Sequence, residues 1–360
     1  MRPNMQHLYE PNYEPNLPTV FFYVHHHGAG HITRAELLIN KLQNSYNVVV
    51  LYGDLKVKMA LNKVCKRGVF EKLPSKWVGQ SSVQRSYNAA FEGIEYSEAP
   101  LERSITFNLL AQQYKPVLFI SDVSAELTIM ARSIGIPVLM QRHSGDISGD
   151  PTQVFAYECA TKLYAPYPKQ LETPHYGYFN KTHYLGFISK YTGGESASKT
   201  DFGNHITLLI TDARRAALIA RVLTNYTDHV EVIGCHGEPI KGVTYKGMVA
   251  NINQAITASV VVTSGGNNAV SQLLALGKKL IVIPENRPYQ EQDEKARMLA
   301  KNNLAVHLPF SAFLQQNNAL IEAALIDARK TQMSKTQIIS DTEQFISEFI
   351  ALVEEVAIEP

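Results

Sequence analysis

The sequence predicts an α/β protein made of two doubly wound, parallel-sheet domains. Three observations carry that expectation. Short β-branched or aromatic runs recur along the chain, each followed by a turn and then a segment with helical spacing of its apolar residues. The runs are apolar throughout rather than alternating, which suits strands covered on both faces of a parallel sheet. A weakly apolar stretch at residues 191–204, holding Gly193, Gly194 and several Ser and Thr, divides the series into two halves.

In chain order, residues 1–18 form a tail rich in Asn, Pro, Glu and Tyr, without the apolar core of a signal peptide. The first domain, residues 19–190, has predicted strands at 19–24, 47–52, 117–120, 137–140 and 162–165, and predicted helices at 32–43, 101–114 and 123–134. Residues 191–204 are the linker. The second domain, residues 205–333, has strands at 205–210, 229–233, 259–263 and 279–283, with helices at 213–223, 267–275 and 290–300. Residues 334–360 end the chain with a helix whose apolar stripe is Ile338, Ile339, Phe345, Ile346, Phe349 and Ile350.

Composition narrows the function classes. The 360 residues are 45% apolar, enough for sizeable cores. With 34 Lys plus Arg against 33 Asp plus Glu, the net charge of +1 gives no global pull toward nucleic acid, and no nucleic-acid partner is expected. Cys65, Cys159 and Cys235 are odd in number, far apart and outside any CxxC pair, which argues against a disulfide framework or a cysteine zinc site and fits a reducing cytoplasm. No run approaches the ~18 apolar residues of a membrane span, so a soluble protein is expected.

In an open parallel sheet, ligands sit beyond the carboxyl ends of the strands, so the loops there are the ones to weigh. The first is His25-His26-His27-Gly28-Ala29-Gly30-His31. Its glycines permit a tight turn, and His31 enters a helix at its N-terminus, where the dipole favours the neutral imidazole that a general base needs. A simple helix cap is the alternative. A metal site is not expected, because adjacent histidines on a strand point to opposite faces. The second loop, Ile120-Ser121-Asp122, offers an acid that either orients His31 or caps the next helix.

The third, Thr263-Ser264-Gly265-Gly266-Asn267-Asn268, lies between an apolar strand and a helix N-terminus. Paired glycines let the backbone approach a diphosphate, and the pattern favours anion binding over a plain turn. The fourth, Pro284 to Gln292, is dense in carboxylates and amides suited to sugar hydroxyls, or else is a solvated charged turn. The fifth is Thr211-Asp212-Ala213-Arg214-Arg215.

Together these loops resemble the GT-B nucleotide-sugar glycosyltransferases, both the peptidoglycan-lipid N-acetylglucosaminyltransferases and the small-molecule UDP-glycosyltransferases. The resemblance rests on Gly28-Ala29-Gly30-His31, on Asp122, and above all on Ser264 to Asn268 followed by Leu276-Gly277-Lys278, Ile283-Pro284, Glu291-Gln292 and Ala296. It covers most of the chain. It implies that the two domains face each other across a cleft, with the acceptor in the first, the donor in the second and no metal or other cofactor bound. His31 matches the family's catalytic histidine and Asp122 its partner. Ser264, Gly265, Gly266, Asn267, Asn268, Glu291 and Gln292 match donor-binding positions, while Gly28, Gly30, Trp77 and His143 are assigned to the acceptor side. Two departures stand out. Relatives carry glycine and serine where this chain has Asp212 to Arg215, so Arg214 or Arg215 is expected to supply charge to the diphosphate, and Gln272 stands where a glutamate commonly holds the ribose.

The expected activity is therefore inverting, metal-independent transfer of a sugar from a nucleoside diphosphate sugar, UDP-linked, to a hydroxyl on a small-molecule, glycan or lipid acceptor. The alternatives are an epimerase or hydrolase of the same fold, kept open by Glu285 and Glu291, and a non-catalytic sugar-nucleotide-binding partner. Residues 55–67 mix Lys56, Lys58, Lys63, Lys66 and Arg67 with apolar side chains and are either a solvated helix face or a peripheral contact with the inner face of the membrane. Residues 74–100 hold the only tryptophan, Trp77, with Tyr87, Phe91 and Tyr96, and form either a lid over the acceptor or a small satellite core.

Overall fold

The computed structural model describes residues 13–26, 29–63, 65, 67–78, 87–189, 204–331 and 341–358. Gly28, His27 and nearly all of the linker lie outside the described residues.

The first domain runs β1 (Thr19–Val24), α1 (Ala29–Leu42), β2 (Asn47–Tyr52), α2 (Leu55–Leu61), β3 (Val69–Lys72), α3 (Glu98–Tyr114), β4 (Leu118–Ser121), α4 (Ala125–Ser133), β5 (Val138–Gln141), α5 (Pro151–Cys159), β6 (Lys162–Ala165) and β7 (Thr182–Tyr184). Its seven strands are all parallel, in the order β3-β2-β1-β4-β5-β6-β7. The second domain runs β8 (His205–Leu209), α6 (Ala213–Leu223), β9 (His229–Ile233), β10 (Val243–Gly247), α7 (Ile252–Ala255), β11 (Val260–Thr263), α8 (Asn267–Ala275), β12 (Lys279–Val282), α9 (Glu291–Lys301), β13 (Val306–His307), α10 (Ser311–Leu314) and α11 (Asn318–Lys330). Its six parallel strands repeat the pattern, β10-β9-β8-β11-β12-β13. Each sheet reverses direction of winding once, between β1 and β4 and between β8 and β11, and those reversals open the crevices where ligands bind in such folds.

The central strands β1, β2, β4 and β5 are buried at every residue, which is why they stand out in the sequence as apolar runs. The strands not anticipated among those listed from the sequence, β3, β7, β10 and β13, are edge strands or short. β3 and β10 each bury only one residue fully and so need no continuous apolar run. The predicted helix at 123–134 starts later, at Ala125, because Val123 takes a left-handed backbone (φ 58°). A β-branched residue is rarely found there, and such strain gathers at functional sites.

The last helix, α12 (Thr342–Val356), returns to the first domain. Phe345, Phe349, Leu352 and Val353 enter the core beneath α1 and β1, and Phe349 meets the Tyr164 ring edge-on at 5.2 Å. Lys162 of β6 pairs with Glu355 at 2.9 Å at its far end. The chain therefore crosses between domains twice, once through the linker and once on the way to α12.

Truncating the fully buried Phe349 to Ala is expected to cost about 3–5 kcal/mol of stability, the usual range for a large core deletion. Denaturant titration of Phe349→Ala checks this; a loss under about 1 kcal/mol would mean α12 is only loosely attached.

Candidate active site in the interdomain cleft

β1 and β4 lie side by side, with Tyr23 opposite Ser121, so the loops that follow them leave the sheet together. His31, in the first turn of α1, places Nδ1 2.8 Å from both carboxylate oxygens of Asp122. The His25 backbone N–H donates to Asp122 Oδ2 at 3.0 Å, and Arg34 Nη2 stands 3.8 Å from Oδ1. Asp122 is 2% exposed. Burial by itself would raise its carboxyl, but the His31 ring, then Arg34 and His25, hold it down at about 2. A carboxylate on Nδ1 fixes the tautomer in which Nε2 is the free base. Asp122 caps nothing, since the N-cap position of α4 is Ser124, and His31 is engaged through its ring rather than as a cap.

The second domain contributes the loop between β11 and α8. Gly265 has φ +91°, and a Cβ there would lie 2.8 Å from Val282 Cγ1, so the backbone itself demands glycine. Gly266 differs, with φ −60° and nothing within 4 Å of its would-be Cβ. That glycine is not required by the turn; it leaves open space at the N-terminus of α8. Gly266 at the N-cap position offers no side chain to cap this helix, which leaves its first amides, among the described residues, available to an anion. The buried oxygens Thr263 Oγ1 and Asn267 Oδ1 have no hydrogen-bond partner there.

The two halves meet. A Cβ on Gly30 would come within 3.3 Å of Asn268 Oδ1, and Asn267 Nδ2 donates to Ser144 Oγ at 3.3 Å. Gln272 lines a hollow in the cleft with Thr33, Arg34, Phe187 and Asn268. Gly145 packs on the backbone of Tyr289 and Glu291, and the Asp146 N–H donates to the Tyr289 carbonyl at 2.8 Å. Glu291 therefore lies at the cleft, whereas buried Gln292 spends its amide oxygen on the Glu285 N–H, 2.8 Å away, and holds the loop before α9. Ser264 is half-buried beside these glycines.

His143 is also brought in, with its ring 5.0 Å from that of Tyr289. Burial, then the Arg142 charge, pushes its pKa down to about 3. Trp77 is not brought to the His31–Asp122 pair. It lies under the Lys76 ammonium, which bonds Glu126 of α4 at 2.9 Å. Phe91 is 41% exposed and Tyr96 fully so, whereas Trp77 and Tyr87 are half-buried, and residues 79–86 lie outside the described residues.

The fifth loop departs from expectation. Asp212 caps α6, accepting from the N–H groups of Arg214 and Arg215 at 2.9 and 3.1 Å. Arg215 donates to the Ile283 and Pro284 carbonyls and lies 3.9 Å over the Phe310 ring, so its charge is committed, and Arg214 is exposed. The functional neighbours missed in the sequence are Arg34, Ser144 and Lys295. Arg34, one turn after His31, was the one that helical spacing signals.

Residues 223–349 match the model of the glycosyltransferase family 28 C-terminal domain. The chain is similar to the UDP-N-acetylglucosamine--N-acetylmuramyl-(pentapeptide) pyrophosphoryl-undecaprenol N-acetylglucosamine transferase of Streptococcus sanguinis, 28% identical over 255 residues, 64% of this chain and 68% of the relative. The same transferase from Streptococcus gordonii is 28% identical over 52% of this chain and 56% of its own. Among solved structures, Acinetobacter baumannii MurG superposes with a TM-score of 0.66 at 13% identity, covering 94% of this chain and 99% of that one. The spinosyn rhamnosyltransferase SpnG complexed with thymidine diphosphate superposes at 0.60 and 11% identity, covering 94% and 100%. The chain is a glycosyltransferase with the GT-B fold. This glycosyltransferase resembles both branches named from its motifs, the peptidoglycan-lipid and the small-molecule enzymes.

One consequence is a defined acid sensitivity. Because the folded pKa of His143 is depressed from 6.5, the unfolded chain binds its proton first. The stability due to neutral His143 is complete above pH 6.5 and is lost as the pH falls toward 3, at no more than about 1.4 kcal/mol per pH unit. Denaturation of wild type and His143→Asn across pH 7 to about 4 should show the shallower slope in the variant; parallel slopes would mean that His143 is protonated in the fold.

Proposed function

We propose that this glycosyltransferase moves a sugar from a UDP-sugar to the hydroxyl of a lipid-linked acceptor, with inversion and without a metal. The observation that carries the reading is the His31–Asp122 pair on a helix whose Gly30 lies against Asn268 of the glycine loop, where Gly266 leaves open space. His31 Nε2 takes the proton of the acceptor hydroxyl as its oxygen attacks the anomeric carbon. Asp122 stabilises the imidazolium that forms, as a buried carboxylate on Nδ1 does. The diphosphate leaves from the opposite face of the sugar, toward the amides at residues 265–268, so the configuration inverts. Preorganised amides at a helix N-terminus stabilise such developing charge. The streptococcal relatives, named for a UDP-N-acetylglucosamine donor and a pyrophosphoryl-undecaprenol acceptor, support the donor and acceptor classes.

Against the epimerase reading, Glu285 is held by Arg287 at 2.7 Å rather than free to move protons in the cleft. A silent partner has no use for a buried, oriented His–Asp pair. For a lipid acceptor, the first domain offers an exposed apolar stripe along α3: Leu101, Ile105 and Leu109 are 59%, 50% and 50% exposed, one helical turn apart. Val78 and Tyr96 extend it, joined by the bond from the Val78 N–H to Glu95 Oε2. The basic segment at residues 55–67, read as either a solvated helix face or a membrane contact, is a lesser surface. Its helix α2 spans only Leu55–Leu61, with Val57 and Leu61 buried, and Arg67 pairs with Glu14. No helix among the described residues is long and apolar enough to cross a membrane, so peripheral contact on the cytoplasmic face is the proposed location.

Two measurements test the reading. His31→Ala should lower turnover by roughly two to four orders of magnitude with nucleotide binding intact, whereas Gly266→Ala should fold normally and lose nucleotide binding. Near wild-type turnover in His31→Ala, or unchanged affinity in Gly266→Ala, would overturn it. Separately, the protein should sediment with anionic phospholipid vesicles and be released by Ile105→Glu; equal sedimentation of both proteins would exclude α3 as the contact.

A further inference from the structure

Of the two arginines expected to supply charge to the diphosphate, Arg215 is bound to two carbonyls and Arg214 is exposed. Another cation stands at the glycine loop itself. Lys295, one turn beyond Glu291 on α9, is 5% exposed, and its Nζ lies 3.3 Å from the Gly265 carbonyl. Among the described residues no carboxylate comes within 4.0 Å of that ammonium, whose hydrogen bond goes to the Gly265 carbonyl. Lys295 lines a small pocket with Ser144, Gly145 and Phe187 and with two carboxylates that are paired elsewhere, Glu172 with Arg142 and Glu294 with Arg297.

A buried lysine without a counter-ion is costly unless something else compensates the charge. Burial lowers the Lys295 pKa, the Glu291 carboxylate opposes that, and Arg34 across the cleft adds to it. Arg34 is itself 8% exposed and lines the neighbouring hollow with Asn267 and Asn268. Since Arg34 already stands 3.8 Å from Asp122, Lys295 is the buried cation left without a carboxylate at the loop where the Thr263 hydroxyl lacks a partner and α8 begins without a side-chain cap. That arrangement is short of an anion.

We propose that Lys295 is the counter-cation of the donor's diphosphate, pairing with a phosphate oxygen held at the start of α8 and stabilising the charge of the leaving group. The inference rests on the reading that residues 264–268 receive the diphosphate. It assigns to α9 the role that the loop after β8 was expected to fill. It also supplies a reason for a buried lysine in the cleft: the site is completed by its substrate rather than by the protein.

The test is calorimetric titration of the full chain with UDP, UMP and uridine, after screening UDP, dTDP, GDP and ADP for the nucleotide that binds wild type. Lys295→Met is expected to weaken diphosphate binding by roughly 10- to 100-fold, the value of a charge-assisted contact, while nucleoside affinity is unchanged. Since the variant removes a buried charge, its melting temperature without ligand should equal or exceed that of wild type, and Lys295→Arg should recover part of the diphosphate affinity. Diphosphate affinity equal to wild type, an equal loss for uridine and UDP, or a fall in melting temperature in both Lys295→Met and Lys295→Gln would overturn the proposal. If wild type binds no nucleoside diphosphate, the assignment of the loop itself fails, a result distinct from failure at Lys295 alone.

Discussion

The parallel pairing of β1 with β4 is the constraint on which the candidate site depends. Those strands are distant in sequence, and the reversal of winding between them leaves a crevice at their carboxyl ends. His31 descends from one strand and Asp122 from the other. The strained backbone at Val123 delays α4 and lets the carboxylate turn back toward α1 instead of capping its own helix. The Asp122 side of the contact is buried and the His31 side is 22% exposed, so the pair is screened less than one on the open surface.

A second buried ion pair shapes the rim of the cleft. Arg142 donates to Glu172 and to the Gly145 carbonyl, each at 3.0 Å, and lies 4.1 Å over the Tyr176 ring, while Tyr167 and Tyr184 donate to the same glutamate. Pairs of this kind contribute little net stability because both charges lose water. What the cluster does here is hold residues 143–146 in the shape that docks on Tyr289 and Glu291. Tyr289 in turn donates to Asp150 at 2.7 Å. The separation between the His31 and Gly266 sides of the cleft is set by these contacts, which belong to neither half alone.

Much of the fold was legible because its central strands are covered on both faces, and total burial writes itself into a sequence as unbroken apolar runs. Edge strands such as β10, half exposed, leave no such mark. The site was legible for a related reason: in this class the chemistry sits at strand ends, so His31, Asp122 and the paired glycines are found by position. Gln292 and Arg215 show the limit. Both stand where a ligand contact is expected, and both turn out to bond the backbone of their own domain, a choice made by packing around residues 283–285.

The sequence by itself determined the α/β class, the division into two halves and the loops that carry His31, Asp122 and Ser264 to Asn268, because each follows from local periodicity or turn chemistry. Only the tertiary structure decided that His31 meets Asp122 through Nδ1, that Gly265 serves the backbone while Gly266 leaves space, that α12 closes the first domain, and that Lys295 rather than Arg214 stands buried at the glycine loop. The reason is physical. A side chain's partner and its access to water depend on residues brought near from elsewhere in the chain, and no local pattern encodes that distance.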